Sequence, residues 1–350
     1  MNGRKDEPRD HEGRVREPTV AGMFYPAEAE ACRLAADAYV SMWRDRAIDV
    51  AVASRRWLGG IVPHAGWVCS GAIAGQTIGT IAASRRREPP REVRGLPHRP
   101  DDAGAAGLTK TDAQSQHTAG ESAPLDVVPD VVIVLGAVHT PLPISVAALD
   151  DYERWVVPGS ASLVLAELRA KLLELSEAFV VDDRFHRHEH AVEVELPLVA
   201  AAWPTSAIVP VEVPTVEDAN QIGRAIARLV GAMQLDAVIL ASSDLTHYGP
   251  AYRFAPAGVG LNGLRWAKQN DRRLLDRIEQ LDVDGIVSEV EANSNACGGG
   301  AIAAMLAACR ELGSANEARV LHHANSYETL AVIEPQPPDN AVGYASVVVG

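Results

Sequence analysis

The sequence predicts a single α/β domain with a central, mostly parallel or mixed sheet covered by helices. Three observations carry that expectation. Val131-Val132-Ile133-Val134-Leu135, Ala207 to Val213 and Ala237 to Leu240 are apolar without alternation, as strands buried on both faces are. Segments of helical spacing, at about residues 162 to 177, 217 to 233 and 263 to 281, separate or follow those runs, an order that implies parallel pairing. A chain of 350 residues with 47% hydrophobic content can bury one large core or two modest ones without covalent staples.

Residues 1–17 are charged at nearly every second position and read as a solvated tail, so folding is expected to start near Pro18. Pro26 to Trp43 carries Ala, Cys, Leu, Tyr and Val at helical spacing after a proline suited to a first turn. The apolar run Gly60-Ile61-Val62-Pro63 ends at His64, and a second helix is expected to follow Gly71. Between Arg85 and Asp126 the composition turns basic and proline-rich, then small and polar, and this stretch (85–126) is expected to be a disordered insertion or long surface loop. His98 and His117 fall inside it and read as solvent-exposed. Residues 18–350 form the domain around that insertion, and Val342 to Val349 reads as its last strand.

Composition removes several function classes. Acidic residues outnumber basic ones by 46 to 32, and a formal charge of -14 opposes a surface built to neutralise phosphates, so no nucleic acid is expected as a partner. The four cysteines, Cys32, Cys69, Cys297 and Cys309, form no C-x-x-C pair and suit reduced thiols, which points to a cytoplasmic setting. The amino terminus lacks a signal-peptide core and no later stretch is apolar enough for a bilayer, so no membrane partner is expected either. Neither G-x-G-x-x-G nor a phosphate loop ending in G-K-[ST] occurs.

In open α/β sheets, ligands gather at the carboxyl ends of strands. His64, His139, Asp244 and His247 each follow an apolar run, and Cys297 precedes an Ala-rich helix through three glycines. Singly, a histidine there more often caps a carbonyl and a cysteine more often packs. Together, two imidazoles with a thiolate or carboxylate make a transition-metal site. A further cluster, Phe185-His186-Arg187-His188-Glu189-His190-Ala191-Val192-Glu193, offers His190 and Glu193 on one face if a helix begins near His190. His186 and His188 lack an apolar frame and read as part of a solvated turn.

Five motifs occur in an order that resembles the Memo family, whose prokaryotic members are called AmmeMemoRadiSam system protein B. They are Pro63-His64-Ala65-Gly66, Leu135-Gly136-Ala137-Val138-His139, Glu189-His190-Ala191-Val192-Glu193-Val194-Glu195-Leu196-Pro197, Ser242-Ser243-Asp244-Leu245-Thr246-His247-Tyr248-Gly249 and Ala296-Cys297-Gly298. Ala21 to Pro26 and His323-Ala324-Asn325-Ser326 are also similar to that family. The resemblance implies a fold like that of class III extradiol ring-cleaving dioxygenases. It implies His64, His139 and Cys297 as the metal-binding set, with Asp244, His247, His190 and Glu193 lining the same cleft in catalytic roles. Two motifs depart from the family's usual form: Gly-Ala-Val-His stands where Gly-Pro-Ser-His is common, and Cys297 runs into three glycines.

The oxygenase triad is two histidines and a carboxylate on Fe(II), whereas a cysteine favours copper, zinc or thiolate-bound iron. Glu193 or Asp244 supplies the carboxylate if Cys297 is a bystander. The expected cofactor is therefore a transition metal, iron or copper first and zinc third. His247 is suited by type to move protons and Asp244 to orient it. Function stays open between a metal-dependent redox or oxygenase-type enzyme, acting on an unidentified small molecule or peptide, and a non-catalytic metal-carrying or interaction module. The family name implies AMMECR-type and radical SAM proteins as partners.

Overall fold

The computed structural model describes residues 13–45, 52, 55–87, 125–313, 315–331 and 338–350. Among the described residues the centre is a nine-stranded mixed sheet. In chain order its strands are β1 (Gly59–Val62), β2 (Val131–Ala137), β3 (Ala147–Leu149), β4 (Phe179–Val181), β5 (Ala207–Val213), β6 (Ala237–Ser242), β7 (His247–Tyr248), β8 (Ala318–Asn325) and β9 (Ala341–Val349). Across the sheet they run β7-β9-β1-β6-β2-β5-β3-β4, with β8 also paired to β9. The central strands β1, β6, β2 and β5 are parallel, while β9 runs antiparallel to β1 and β3 antiparallel to β5.

The helices include α1 (Ala29–Arg44), α2 (Trp67–Ser84), α3 (Ala166–Leu175), α4 (Leu196–Ala202), α5 (Ala219–Ala232), α6 (Gly260–Glu279), α7 (Ile286–Asn293) and α8 (Gly299–Glu311), of which α1, α3, α5 and α6 lie close to their expected limits. Because successive strand residues point to opposite faces, the continuous apolar runs serve two cores. Ile133, Leu135, Val209, Val211, Ile239 and Ala241 meet α3, α5, α6, α7 and α8 on one face. Val132, Val134, Ile208, Val238 and Leu240 meet α1, α2 and α4 on the other. Each such side chain contributes about 1.5–3 kcal/mol by leaving water, which is why the runs carry no polar alternation.

Helix α2 begins at Trp67, so Gly71 lies inside it and not before it. The physical reason is packing: a Cβ at Gly71 would sit 2.8 Å from the Tyr39 ring of α1. A glycine expected to precede the helix instead lies within it and lets two helices approach.

The expected boundaries of tail and insertion need correction. Residues 1–12 lie outside the described residues, but Val15–Arg16 pairs in parallel with Arg154–Trp155, so the last residues of the expected tail belong to the fold. Arg16 is buried there because its guanidinium donates to the Glu193 carboxylate and to the Glu189 and His186 carbonyls. Of the expected insertion, residues 88–124, with His98 and His117, lie outside the described residues. Its flanks are structured: buried Arg85 pairs with Asp236 at 2.7 Å, and Arg86–Arg87 lies antiparallel to Leu125–Asp126.

Candidate metal centre

Parallel β1, β2 and β6 end on one edge of the sheet, and His64, His139 and Asp244 follow them directly. The turn before α4 brings His190 to the same place. Ring centroids of His64 and His139 are 5.1 Å apart, those of His64 and His190 5.2 Å, and those of His139 and His190 4.7 Å. One ring nitrogen from each of these three residues lies within 4.8 Å of the others, so the group can hold a metal ion.

Hydrogen bonds fix which nitrogens face inward. Ser242 Oγ donates to the Ala191 carbonyl at 2.6 Å and therefore accepts from His64 Nδ1, 2.9 Å away. His64 Nε2 is left with its lone pair, 3.3 Å from Cys297 Sγ. His139 Nδ1 donates to Glu189 Oε1 at 2.9 Å, and His190 Nδ1 lies 3.2 Å from the same oxygen. One buried carboxylate thus orients two imidazoles, the usual second support of histidine ligands. Glu189 also accepts from the backbone N–H of His139, His190 and Ala191. Burial opposes its ionisation, but His139, His190 and these N–H groups hold the carboxyl far below its usual range.

Cys297 reaches the cluster because the entry to α8 is stitched to the end of β6. Leu245 and Ala296 form an antiparallel bridge, Gly298 N donates to Ser243 Oγ at 2.9 Å, and Asp244 N donates to Cys297 Sγ at 3.3 Å. The glycine run that departs from the family pattern permits this closeness. A Cβ at Gly298 would lie 2.8 Å from Ser243 Cβ, and one at Gly300 2.0 Å from the Pro214 carbonyl.

Burial disfavours charge on the imidazoles, yet the neighbouring anions more than offset it. Cys297 and Asp244 raise the pKa of His64; Cys297 and Glu189 raise His139 to about 10; Asp244 and Cys297 raise His247 to about 10. Burial likewise opposes the Cys297 thiolate, and His64, His139 and His247 still hold its thiol well below the ordinary value. Asp244 Oδ1 accepts from His64 N at 3.0 Å, and Oδ2 lies 3.8 Å from His247 Nε2, close enough for charge but not for a hydrogen bond. His64 is buried, while the side chains of His139, His190 and His247 are 32%, 24% and 35% exposed, so the centre opens to solvent on their side.

Two expectations for the His190 motif fail. Glu193 is not in the cleft: it is fully buried, with its carboxylate accepting from Arg16, the Thr19 and Val20 amides and the Tyr25 hydroxyl. It anchors the amino-terminal segment. The helical-spacing argument failed because residues 190–192 make a turn and α4 starts only at Leu196, after a 3-10 turn from Glu193 to Glu195. Glu189, adjacent to His190, is the carboxylate that serves the site; no periodicity marks it. His186 is also fully buried, its Nε2 donating to the Ala148 carbonyl at 3.0 Å, whereas His188 is exposed as expected. No periodicity singles out Glu195 or Glu212, two buried carboxyls whose oxygens lack hydrogen-bond partners among the described residues.

An α/β protein with a histidine cluster at the carboxyl ends of parallel strands is the class this geometry defines. Residues 104–348 match the model of the Memo-like protein family, and the chain belongs to that family. A MEMO1 family protein of Pyrococcus furiosus is 28% identical over 342 residues, covering 95% of this chain and 98% of its own. One from Thermococcus kodakarensis is 29% identical, covering 95% and 99%, and one from Sulfolobus acidocaldarius is 32% identical, covering 63% and 72%. The solved structure of an uncharacterized Escherichia coli K12 protein aligns with 64% of this chain and 88% of that one, at 12% identity and a TM-score of 0.42. Among the described residues no helix is long and apolar enough to cross a membrane.

Proposed function

We propose that this chain binds one transition metal, iron or copper before zinc, through His64, His139 and His190 with Cys297 beside them, and uses it in redox or oxygenase-type chemistry on a small molecule or peptide. The observation that supports this reading is orientation: the Nδ1 atoms of all three histidines are turned to partners outside the cluster, leaving the Nε2 atoms to converge on an ion that would displace their protons. The donor set fits an ion of intermediate softness, and bound there it supplies Lewis acidity and one-electron chemistry. Asp244 sets the position of His64 through its backbone amide and faces His247, which is placed to take or give a proton at the cluster's rim.

A second reading rests on Cys297. Three imidazoles and a thiolate make four donors, enough to close a tetrahedral site and carry a metal without catalysis. AMMECR-type and radical SAM proteins are the proposed partners, in a cytoplasmic setting consistent with four cysteines that form no disulfide. Metal analysis of anaerobically purified protein tests the proposal. His64→Ala, His139→Ala and His190→Ala should each lose stoichiometric metal, and Cys297→Ser should shift preference away from soft ions. Wild-type content and selectivity in all four variants would refute both readings.

A further inference from the structure

A cleft of about 650 Å³ opens beside the cluster, with His247 and Cys297 at its inner end. One wall is the tight loop 249–254. It is closed by Gly249 N donating to the Phe254 carbonyl at 2.7 Å and Phe254 N donating back at 3.2 Å, and pinned by Ala251 N on Asn340 Oδ1 at 2.8 Å. That loop lines the cleft with Tyr252, Arg253 and Phe254, the last packed against Trp266 with ring centroids 5.5 Å apart. The opposite wall is the end of α7, carrying Glu291 and Ser294.

Two features set this cleft apart. Arg253 (φ 55) and Ser294 (φ 49) both hold left-handed backbone as the C-caps of the Pro250–Tyr252 3-10 turn and of α7, which fixes the chain on both sides of the cleft. Arg253 and Glu291 also face the same space without pairing with each other, and among the described residues neither side chain has another ion-pair partner. On this surface arginines are otherwise mostly paired, as Arg272 is with Asp276 and Glu279, or Arg277 with Asp282 and Glu289. A cation and an anion that line one cleft without pairing, together with the Tyr252 and Phe254 rings and with His247 and Cys297, match a ligand bearing both charges and an apolar body.

We propose that the cleft binds a small zwitterion, an amino acid or a molecule built like one, whose carboxylate meets Arg253 and whose ammonium meets Glu291, with an apolar body lying along Tyr252 towards His247. The proposal deepens the metal-centre reading by naming a substrate class for that site, and it rests on that reading only for the role of the inner end.

Binding of L-phenylalanine and L-leucine, measured by calorimetry and saturation-transfer NMR on the full chain, is compared with that of 3-phenylpropanoate, which lacks the ammonium, and phenethylamine, which lacks the carboxylate. At least one amino acid should bind about two- to fivefold more tightly than either singly charged analogue, the size expected of one solvent-accessible charge pair. Arg253→Gln should remove that advantage and weaken 3-phenylpropanoate while sparing phenethylamine, and Glu291→Gln should do the reverse. Arg253→Lys, which keeps the charge, should retain part of the preference. The same titrations on His64→Ala separate the two ideas: the charge preference should persist there even with the metal lost. No binding of either amino acid, equal binding of the analogues, or indifference to both substitutions would overturn the proposal.

Discussion

Replacing Glu189 by Gln is the sharpest perturbation of the metal centre that leaves every candidate ligand in place. Oε1 receives His139 Nδ1 at 2.9 Å, His190 N at 2.8 Å, His190 Nδ1 at 3.2 Å and Ala191 N at 3.3 Å, while Oε2 receives His139 N at 2.7 Å. A glutamine keeps most of these bonds only with its oxygen at Oε1, which turns its NH2 group against the His139 amide. One charge-assisted bond is lost outright, about 1.5–3 kcal/mol, and the remaining donors face a neutral acceptor. With the Nδ1 supports weakened, the rings of His139 and His190 are less basic and less firmly aimed. Metal affinity should fall about 10- to 100-fold, or roughly 1.4–2.7 kcal/mol. Competition against a chromophoric chelator reads that change, and a urea melt of the metal-free protein reads the structural loss separately. Affinity within a factor of about two of wild type, in a folded variant, would refute the claim that Glu189 orients the ligands.

Three further outcomes are expected. Arg16→Met leaves the Glu193 carboxylate buried without its counterion, so urea unfolding should show a loss of about 3–5 kcal/mol; a change below about 1 kcal/mol would remove Arg16 as the anchor of the amino-terminal segment. Glu212 is buried, and burial with the nearby Glu189 charge pushes its pKa well above the usual range, so the folded state binds a proton that the unfolded state releases above about pH 4.3. Stability linked to this group is therefore fully present below that pH and declines as pH rises towards the folded pKa; Glu212→Gln should gain on wild type in thermal midpoint from pH 4 to 8, and a constant gap would contradict the assignment. Joining Arg87 to Leu125 through a short turn in place of residues 88–124 should leave the midpoint nearly unchanged, since the paired ends already close the loop and loop length costs little; a large drop or insoluble protein would contradict that.

The sheet was legible because its central strands are buried on both faces, so Val131 to Ala137, Ala207 to Val213 and Ala237 to Ser242 carry an apolar signal interrupted only by Glu212 and the terminal Ser242. The parallel order of those strands and of Gly59–Val62 sets His64, His139 and Asp244 on one edge. What the sequence could not reveal depends on partners remote in the chain. Arg16 looks like a tail residue until Glu193, 177 positions away, neutralises it in the core. Glu193 looks like a site residue by helical spacing, and Glu189 does not, because the local backbone is a turn whose geometry follows from the His139 and His190 contacts it makes. Gly71 reads as a break when its neighbours are unknown and as a contact surface once Tyr39 is in view.

The most direct test of the central claim is X-ray absorption at the metal edge of anaerobically purified, full-length protein. About one equivalent of a transition metal is expected, with imidazole scattering from His64, His139 and His190 and a sulfur at roughly 2.3 Å that disappears in Cys297→Ser. A metal surrounded by oxygen donors alone, with a spectrum unchanged in His64→Ala, would contradict it.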